Sequence, residues 1–193
     1  MDTFELRRAT QIIVREHQRL TMVVDGLLRF VHLLGMEKHP PGTGLFRAML
    51  YYIREYPENI HHPKEDRYLF AHLQERTDTL DDVIDELRLQ HVDGEMHVLD
   101  LERALTRYEI EGRPALADLQ QQVEAYAAFY AAHRQLEEEV ILPAAIRYLT
   151  EEDWRDVDAA FGANRDPMEG VKAEEDLGRL YAMIVNTIPS ADD

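Results

Sequence analysis

Cysteine is absent from the 193-residue chain. Disulfides, thiolate nucleophiles, iron–sulfur clusters and cysteine-type zinc sites are therefore excluded, and any metal must be held by nitrogen and oxygen donors. The composition suits a reducing compartment. Long hydrophobic runs are also missing: no segment approaches the roughly 18 consecutive apolar residues of a membrane-spanning helix. The start, Met1-Asp2-Thr3-Phe4-Glu5, lacks the basic-then-apolar pattern of a secretory signal. These absences predict a soluble, cytoplasmic protein. Positive charge is scarce too, with 21 Lys and Arg against 38 Asp and Glu and a net charge of −17. No basic cluster interrupts that acidity, so phosphate backbones and anionic lipid are repelled, which predicts neither nucleic-acid nor membrane partners.

What is present is helical periodicity. With 45% hydrophobic residues the chain can bury a core, as one globular domain with at most a small appendage. Apolar residues recur at helical spacing from about Phe4 to Leu34 and stop at Gly35 and His39-Pro40-Pro41-Gly42. A second helix runs from Leu45 to near Thr77, with kinks expected at Pro57 and Pro63. A third begins near Leu80-Asp81-Asp82 and ends at Gly112; a fourth is opened by Pro114 and ends near Leu149. Thr150-Glu-Glu-Asp153 reads as the N-cap of a short fifth helix around Trp154–Phe161, and an amphipathic segment follows from about Val171 to Ile188. The fold class predicted is all-α: an up-down-up-down four-helix bundle over residues 1–149, with a C-terminal helical extension over 150–193 packed on it.

Histidines sit near the middle of each long helix: His17, the pair His61-His62, His91 and His133. Counting residues across the turns tests whether they share a level. From His17 to the end of helix one is roughly 18 residues, and from the start of helix two to His61 roughly 18 again; the other two turns agree within a few residues, a few Å of rise. Antiparallel neighbours would thus bring all four positions into one layer. Local spacing supplies carboxylates to that layer. His61-x-x-x-Glu65 and His133-x-x-x-Glu137 each set an imidazole and a carboxylate on one helix face, about one turn apart. Two cations close together repel, and bridging carboxylates offset that repulsion while imidazoles fill the outer positions. A mixed nitrogen and oxygen set suits iron or manganese, whereas calcium and magnesium prefer oxygen alone; zinc also binds such ligands, more tightly than ferrous iron.

The segments Glu16-His17-x-x-Leu20, His61-His62-Pro63-Lys64-Glu65-Asp66-x-x-Leu69-Phe70, His91-x-x-Gly94-Glu95 and His133-x-x-x-Glu137-Glu138-x-x-x-Leu142-Pro143 resemble the hemerythrin-like, or HHE cation-binding, domain over about residues 8–149. The resemblance implies a four-helix bundle around an oxo- or hydroxo-bridged di-iron centre. It implies one ion on His17 and His61, the other on His91 and His133, Glu65 and Glu137 bridging, and His62 as an additional ligand. The chain departs from the oxygen-carrying members at two places. Glu95 stands where they have a second histidine on the third helix, and their bridging aspartate follows the fourth-helix histidine by five residues, the offset of Glu138 here. Glu137 is the expected ligand, because a four-residue step keeps both side chains on one face while a five-residue step turns by about 140°. The altered set makes reversible oxygen carriage an open question.

Other residues carry less. His32, His39, His72 and His97 are expected outside the site, Glu138, Glu139 and Asp66 on acidic surface, and Glu95 either beside the metals or in solvent. Gly94 implies close helix packing or room for a small ligand, Tyr126 and Tyr130 core phenols or donors to a metal-bound group, and Trp154 with the Leu177-Leu180-Tyr181-Ile184 stripe a cover or a self-association surface. The function expected is non-haem di-iron binding, with oxygen, nitric oxide or peroxide bound or sensed, or a part in iron and oxidative-stress homeostasis. A homodimer is entertained. No nucleophile–base pair marks a conventional enzyme, so any activity would be redox chemistry at the metals. The alternatives are an iron-handling ferroxidase-type bundle and a metal-free helical interaction module.

Overall fold

A computed structural model describes residues 7–36 and 42–168, and every element among them is helical. Helix α1 spans Arg8–Met36. Helix α2 is a continuous rod over 44–76, built from Gly44–Ile53, Arg54–His61, His62–Lys64, Glu65–Phe70 and Ala71–Arg76. Helix α3 is Asp81–Glu111. Helix α4 covers 116–148 as Leu116–Leu136, Glu137–Ile141 and Leu142–Tyr148, after a 3₁₀ turn Arg113–Ala115 that contains Pro114. Helix α5 is Glu151–Gly162.

The kinks expected in α2 take the form of wide π-helical turns inside an unbroken rod. Arg54–His61 and Glu65–Phe70 are π-helical, Pro57 lies inside the first, and Pro63 lies in the short α-helical piece between them. A proline has no N–H and crowds the carbonyl one turn back, so a wider turn absorbs the missing bond without breaking the helix. A third wide turn, Glu137–Ile141, precedes Pro143 in α4. Each of these turns contains or directly follows a His-x-x-x-Glu residue of the predicted layer.

Glycine ends α3 as the sequence suggested. Gly112 has φ +70, a conformation that L side chains disfavour, and it is the only positive-φ residue among those described. At the start of α5, Thr150 and Asp153 form a reciprocal capping box, with the Asp153 N–H donating to Thr150 and the Thr150 N–H to Asp153.

Two apolar cores hold the rods together. One gathers Leu27, Phe30 and Leu34 of α1, Phe46, Met49 and Tyr52 of α2, Val98, Leu101 and Leu105 of α3, and Leu116, Leu119 and Val123 of α4. The other gathers Ala9 and Ile13, then Leu69, Phe70 and Leu73, then Ile84 and Leu87, then Ile141, Leu142 and Ala145. Each long rod therefore runs from one core to the other, and successive rods run in opposite senses. Helices α1 and α3 each contact both α2 and α4. Trp154, Val157 and Phe161 of α5 are buried in the second core, and α5 lies along α1. Burying each such large apolar side chain contributes about 1.5–3 kcal/mol. The Leu177-to-Ile184 stripe, the Val171–Ile188 segment and His39 lie outside the described residues.

Candidate metal centre

Between the two cores lies a polar slab. Glu16, His17, Glu58, His61, His62, Glu65, His91, His133 and Glu137 are all buried there, with Glu65 at 0% exposure and Glu137 at 1%. Buried charges of this density are strongly unfavourable unless they are paired or coordinate metals. The described residues hold two buried groups whose ligand atoms lie within 4.8 Å of one another: His62, Glu65, His91 and His133, and His17, His61 and Glu65. Six of the seven residues predicted as ligands fall in these two groups, with Glu65 common to both, and the seventh, Glu137, lies within 3.7 Å of His17, His91 and His133 in the same layer.

The carboxylates stand between the imidazole groups. Glu65 Oε1 lies 3.1 Å from His61 Nε2 and 3.9 Å from His17 Nε2, while its Oε2 lies 3.6 Å from His91 Nε2. Glu137 Oε2 lies 3.2 Å from His17 Nε2 and 3.4 Å from His133 Nε2, and its Oε1 3.7 Å from His91 Nε2. His62 stacks on His91 with ring centroids 4.3 Å apart. Phe70 stacks on His91, Phe161 meets His61 edge-on and Phe129 stacks on His133, so apolar rings seal the layer.

The far nitrogen of every ring is occupied. His17 Nδ1 donates to Glu138 at 3.0 Å, His61 Nδ1 to Glu16 at 2.6 Å, His62 Nδ1 to Glu58 at 3.1 Å, His91 Nδ1 to Asp66 at 3.2 Å and His133 Nδ1 to the Gln90 amide oxygen at 3.0 Å. Glu16 is fixed in turn by the Tyr56 hydroxyl and the Asn164 amide. Donation from Nδ1 fixes the tautomer and leaves an Nε2 lone pair. Those lone pairs face carboxylate oxygens, and His17 Nε2 faces His61 Nε2 at 3.2 Å. Acceptor thus meets acceptor. Both oxygens of Glu65, both of Glu137, and Nε2 of His91 and His133 are buried with no hydrogen-bond partner. Cations placed among them would satisfy all six, so the donor set fits a metal.

Burial opposes charge on His17, yet hydrogen bonds to Glu137 and Glu138 raise its pKa. Burial likewise opposes charge on His61, but Glu65 and Glu16 lift it well above the ordinary histidine value. Against the same burial, Asp66 and Glu137 raise His91 to about 10. Burial, with the charges of neighbouring histidines, lowers His62 well below its ordinary value and His133 to about 3. Burial and the charge of Glu137 push the Glu65 carboxyl up, whereas His133, His17 and His91 outweigh burial at Glu137 and hold it well down.

The family model described as the Hemerythrin HHE cation binding domain matches residues 8–145. The chain belongs to this family. Among curated relatives, uncharacterized proteins of Mycobacterium bovis and of two strains of Mycobacterium tuberculosis are each 26% identical to it over 153 residues. These alignments cover 79% of this hemerythrin-like chain and 59% of each relative, so the chain spans less than two thirds of their length. No solved structure matches.

The remaining candidates sort by position. Glu95 is exposed and takes no part in the layer, and His32 is exposed. His97 packs against Phe129 with centroids 4.7 Å apart, outside the cluster. His72 meets Glu75 and Asp153 near the surface, where Asp153 is already held by both arms of the Arg76 guanidinium. Tyr130 donates to the His17 carbonyl, a core role. Gly94 is explained by packing: a Cβ there would lie 3.0 Å from Glu58 Oε1. Two expectations need correction, since Asp66 and Glu138 are not plain acidic surface but half-buried acceptors for His91 and His17. Sequence reasoning also missed Glu16, Glu58 and Gln90. Their signal was available at helical spacing for Glu58, four residues before His62, but Glu16 and Gln90 reach histidines on other helices. A cavity of about 280 Å³ lined by Arg8, Arg15, Arg19 and Arg165 reaches Glu16 and Asn164 but none of the inner ligands.

Proposed function

We propose that this hemerythrin-like chain is an up-down-up-down four-helix bundle holding a dinuclear non-haem iron centre at which it meets a small oxidant or gas: oxygen, nitric oxide or peroxide. The single observation that carries the reading is the acceptor-against-acceptor geometry of Glu65, with each of its unpartnered oxygens turned to a different set of imidazoles. In this reading His17 and His61 would hold one ion and His91 and His133 with His62 the other, with Glu65 and Glu137 supplying the carboxylates between the two sets. Bound iron supplies redox and Lewis-acid chemistry.

The chain's own residues do the rest. Glu138, Glu16, Glu58, Asp66 and Gln90 hold the rings in the ligating tautomer and orient them. Phe70, Phe129 and Phe161 exclude water from the ring faces. His62 and His133, kept neutral by burial, offer lone pairs without first losing a proton. A metal-free interaction module would leave six buried polar atoms unsatisfied at about 1–3 kcal/mol each, which disfavours it. Manganese fits the same donors, and zinc competes in a recombinant host.

Elemental analysis of protein from its native host, with visible spectra before and after reduction and exposure to air, tests the proposal. Two irons per chain and an air-dependent spectrum are expected. Loading beyond two irons with rapid ferrous oxidation would instead establish the ferroxidase alternative.

A further inference from the structure

Five of the six large apolar side chains exposed among the described residues lie on α3: Leu89 at 67%, Val92 at 60%, Met96 at 50%, Leu99 at 41% and Ile110 at 80%. The first four follow a three-four-three spacing, the seam pattern by which one helix packs along another. At about 100° per residue they fall within about 40° of the direction opposite Gly94, the residue that α3 buries against Glu58. The stripe is therefore contiguous and faces away from the bundle. Contiguous exposed apolar surface of this kind marks an interaction site.

We infer that the outer face of α3 is a self-association seam on which a second copy of this chain packs antiparallel, across a two-fold axis at the level of Gly94. The pattern is symmetric about that residue: Leu89 mirrors Leu99, and Val92 mirrors Met96. The charges ending the stripe obey the same symmetry with opposite sign. Asp85 and Arg103 lie equally far from Gly94 on the centre of the stripe, so an antiparallel copy sets Asp85 of each subunit against Arg103 of the other, at both ends. Arg88 likewise falls level with Asp100. Within one chain Arg88 pairs with Asp85 at 3.8 Å and with Asp66 at 3.7 Å, and Arg103 pairs with Asp100 at 2.9 Å, every one of these side chains at least a third exposed. Such a self-complementary arrangement is what an isologous two-fold contact requires. A membrane does not fit the face, because Asp93, Glu95, Asp100 and Glu102 beside it would be repelled by anionic lipid.

Sedimentation velocity on the full chain at micromolar concentration tests the seam. The chain should sediment as a dimer, and Val92→Glu/Met96→Glu should make it monomeric with far-ultraviolet circular dichroism and metal content unchanged. Asp85→Arg alone should weaken the dimer by about tenfold, the scale of two exposed ion pairs turned repulsive. Asp85→Arg/Arg103→Asp should restore it. Because the chain has no cysteine, Val92→Cys near the axis should form a disulfide-linked dimer on mild oxidation, while Ala131→Cys, exposed on α4, should not. A monomeric parent chain, a dimer that survives the Val92→Glu/Met96→Glu change, failure of the paired charge reversal to restore the dimer, or equal cross-linking at both positions would overturn the inference.

Discussion

Replacing Glu65 with glutamine keeps the side chain's volume and removes the charge that faces both sets of imidazoles. The residue is 0% exposed and its two oxygens lie within 3.9 Å of His61, His17 and His91, so no water can take its place without rearrangement. A metal present at about 100 times its dissociation constant stabilises the folded state by about 2.7 kcal/mol per site, hence about 5 kcal/mol for two. At about 2–4 °C per kcal/mol for a chain of this size, loading should raise the melting temperature by about 10–20 °C. Both ions lean on Glu65, so Glu65→Gln should keep less than half of that increment. The assay is differential scanning calorimetry of parent and variant, each stripped by chelator and then reloaded with ferrous iron under anaerobic conditions. Glu95→Gln, altering an exposed carboxylate on α3, serves as the control and should behave as the parent. A full increment in Glu65→Gln would refute the argument that this carboxylate spans the metals.

Four further outcomes are expected. Glu16→Ala removes the acceptor at His61 Nδ1, and by the usual scale of such outer partners should weaken metal binding about 10- to 100-fold in chelator competition. Stripping the metal should loosen the centre but leave the helices, read by circular dichroism, because two apolar cores flank it; a random-coil spectrum would contradict this. Metal binding should release protons and strengthen from pH 5 to pH 8, since the raised His91, at about 10, still holds a proton across that range; titration calorimetry in buffers of different ionisation enthalpy measures the release. Asp153 is held below its ordinary value chiefly by Arg76 and then by Thr150. A depressed carboxyl gives stability that is present above its unfolded pKa near 3.8 and lost as pH falls through the lower folded value. Asp153→Asn should therefore cost about 1–2 kcal/mol at pH 7 and progressively less on acidification, read from urea midpoints.

The one-dimensional pattern was enough to determine the helices and the level of the site. His17, His61, His91 and His133 could be ranked by height because an α-helix rises a fixed distance per residue, and short turns force neighbours to run antiparallel. Glu137 could be preferred over Glu138 for the same reason, and the structure buries Glu137 among three histidines while turning Glu138 to His17 Nδ1. Spacing could not reveal partners on other helices. Glu16 reaching His61, Asp66 reaching His91 and Gln90 reaching His133 depend on how each rod is rotated about its own axis, and that rotation is set by packing both cores at once. The wide turns at 54–61, 65–70 and 137–141 were likewise invisible, because a proline signals a lost hydrogen bond but not whether the helix bends or widens. Nor does periodicity alone say that α3 leaves Leu89, Val92, Met96 and Leu99 uncovered. Periodicity along a chain is a local property that sequence carries, whereas which face meets which neighbour is a property of the packed whole.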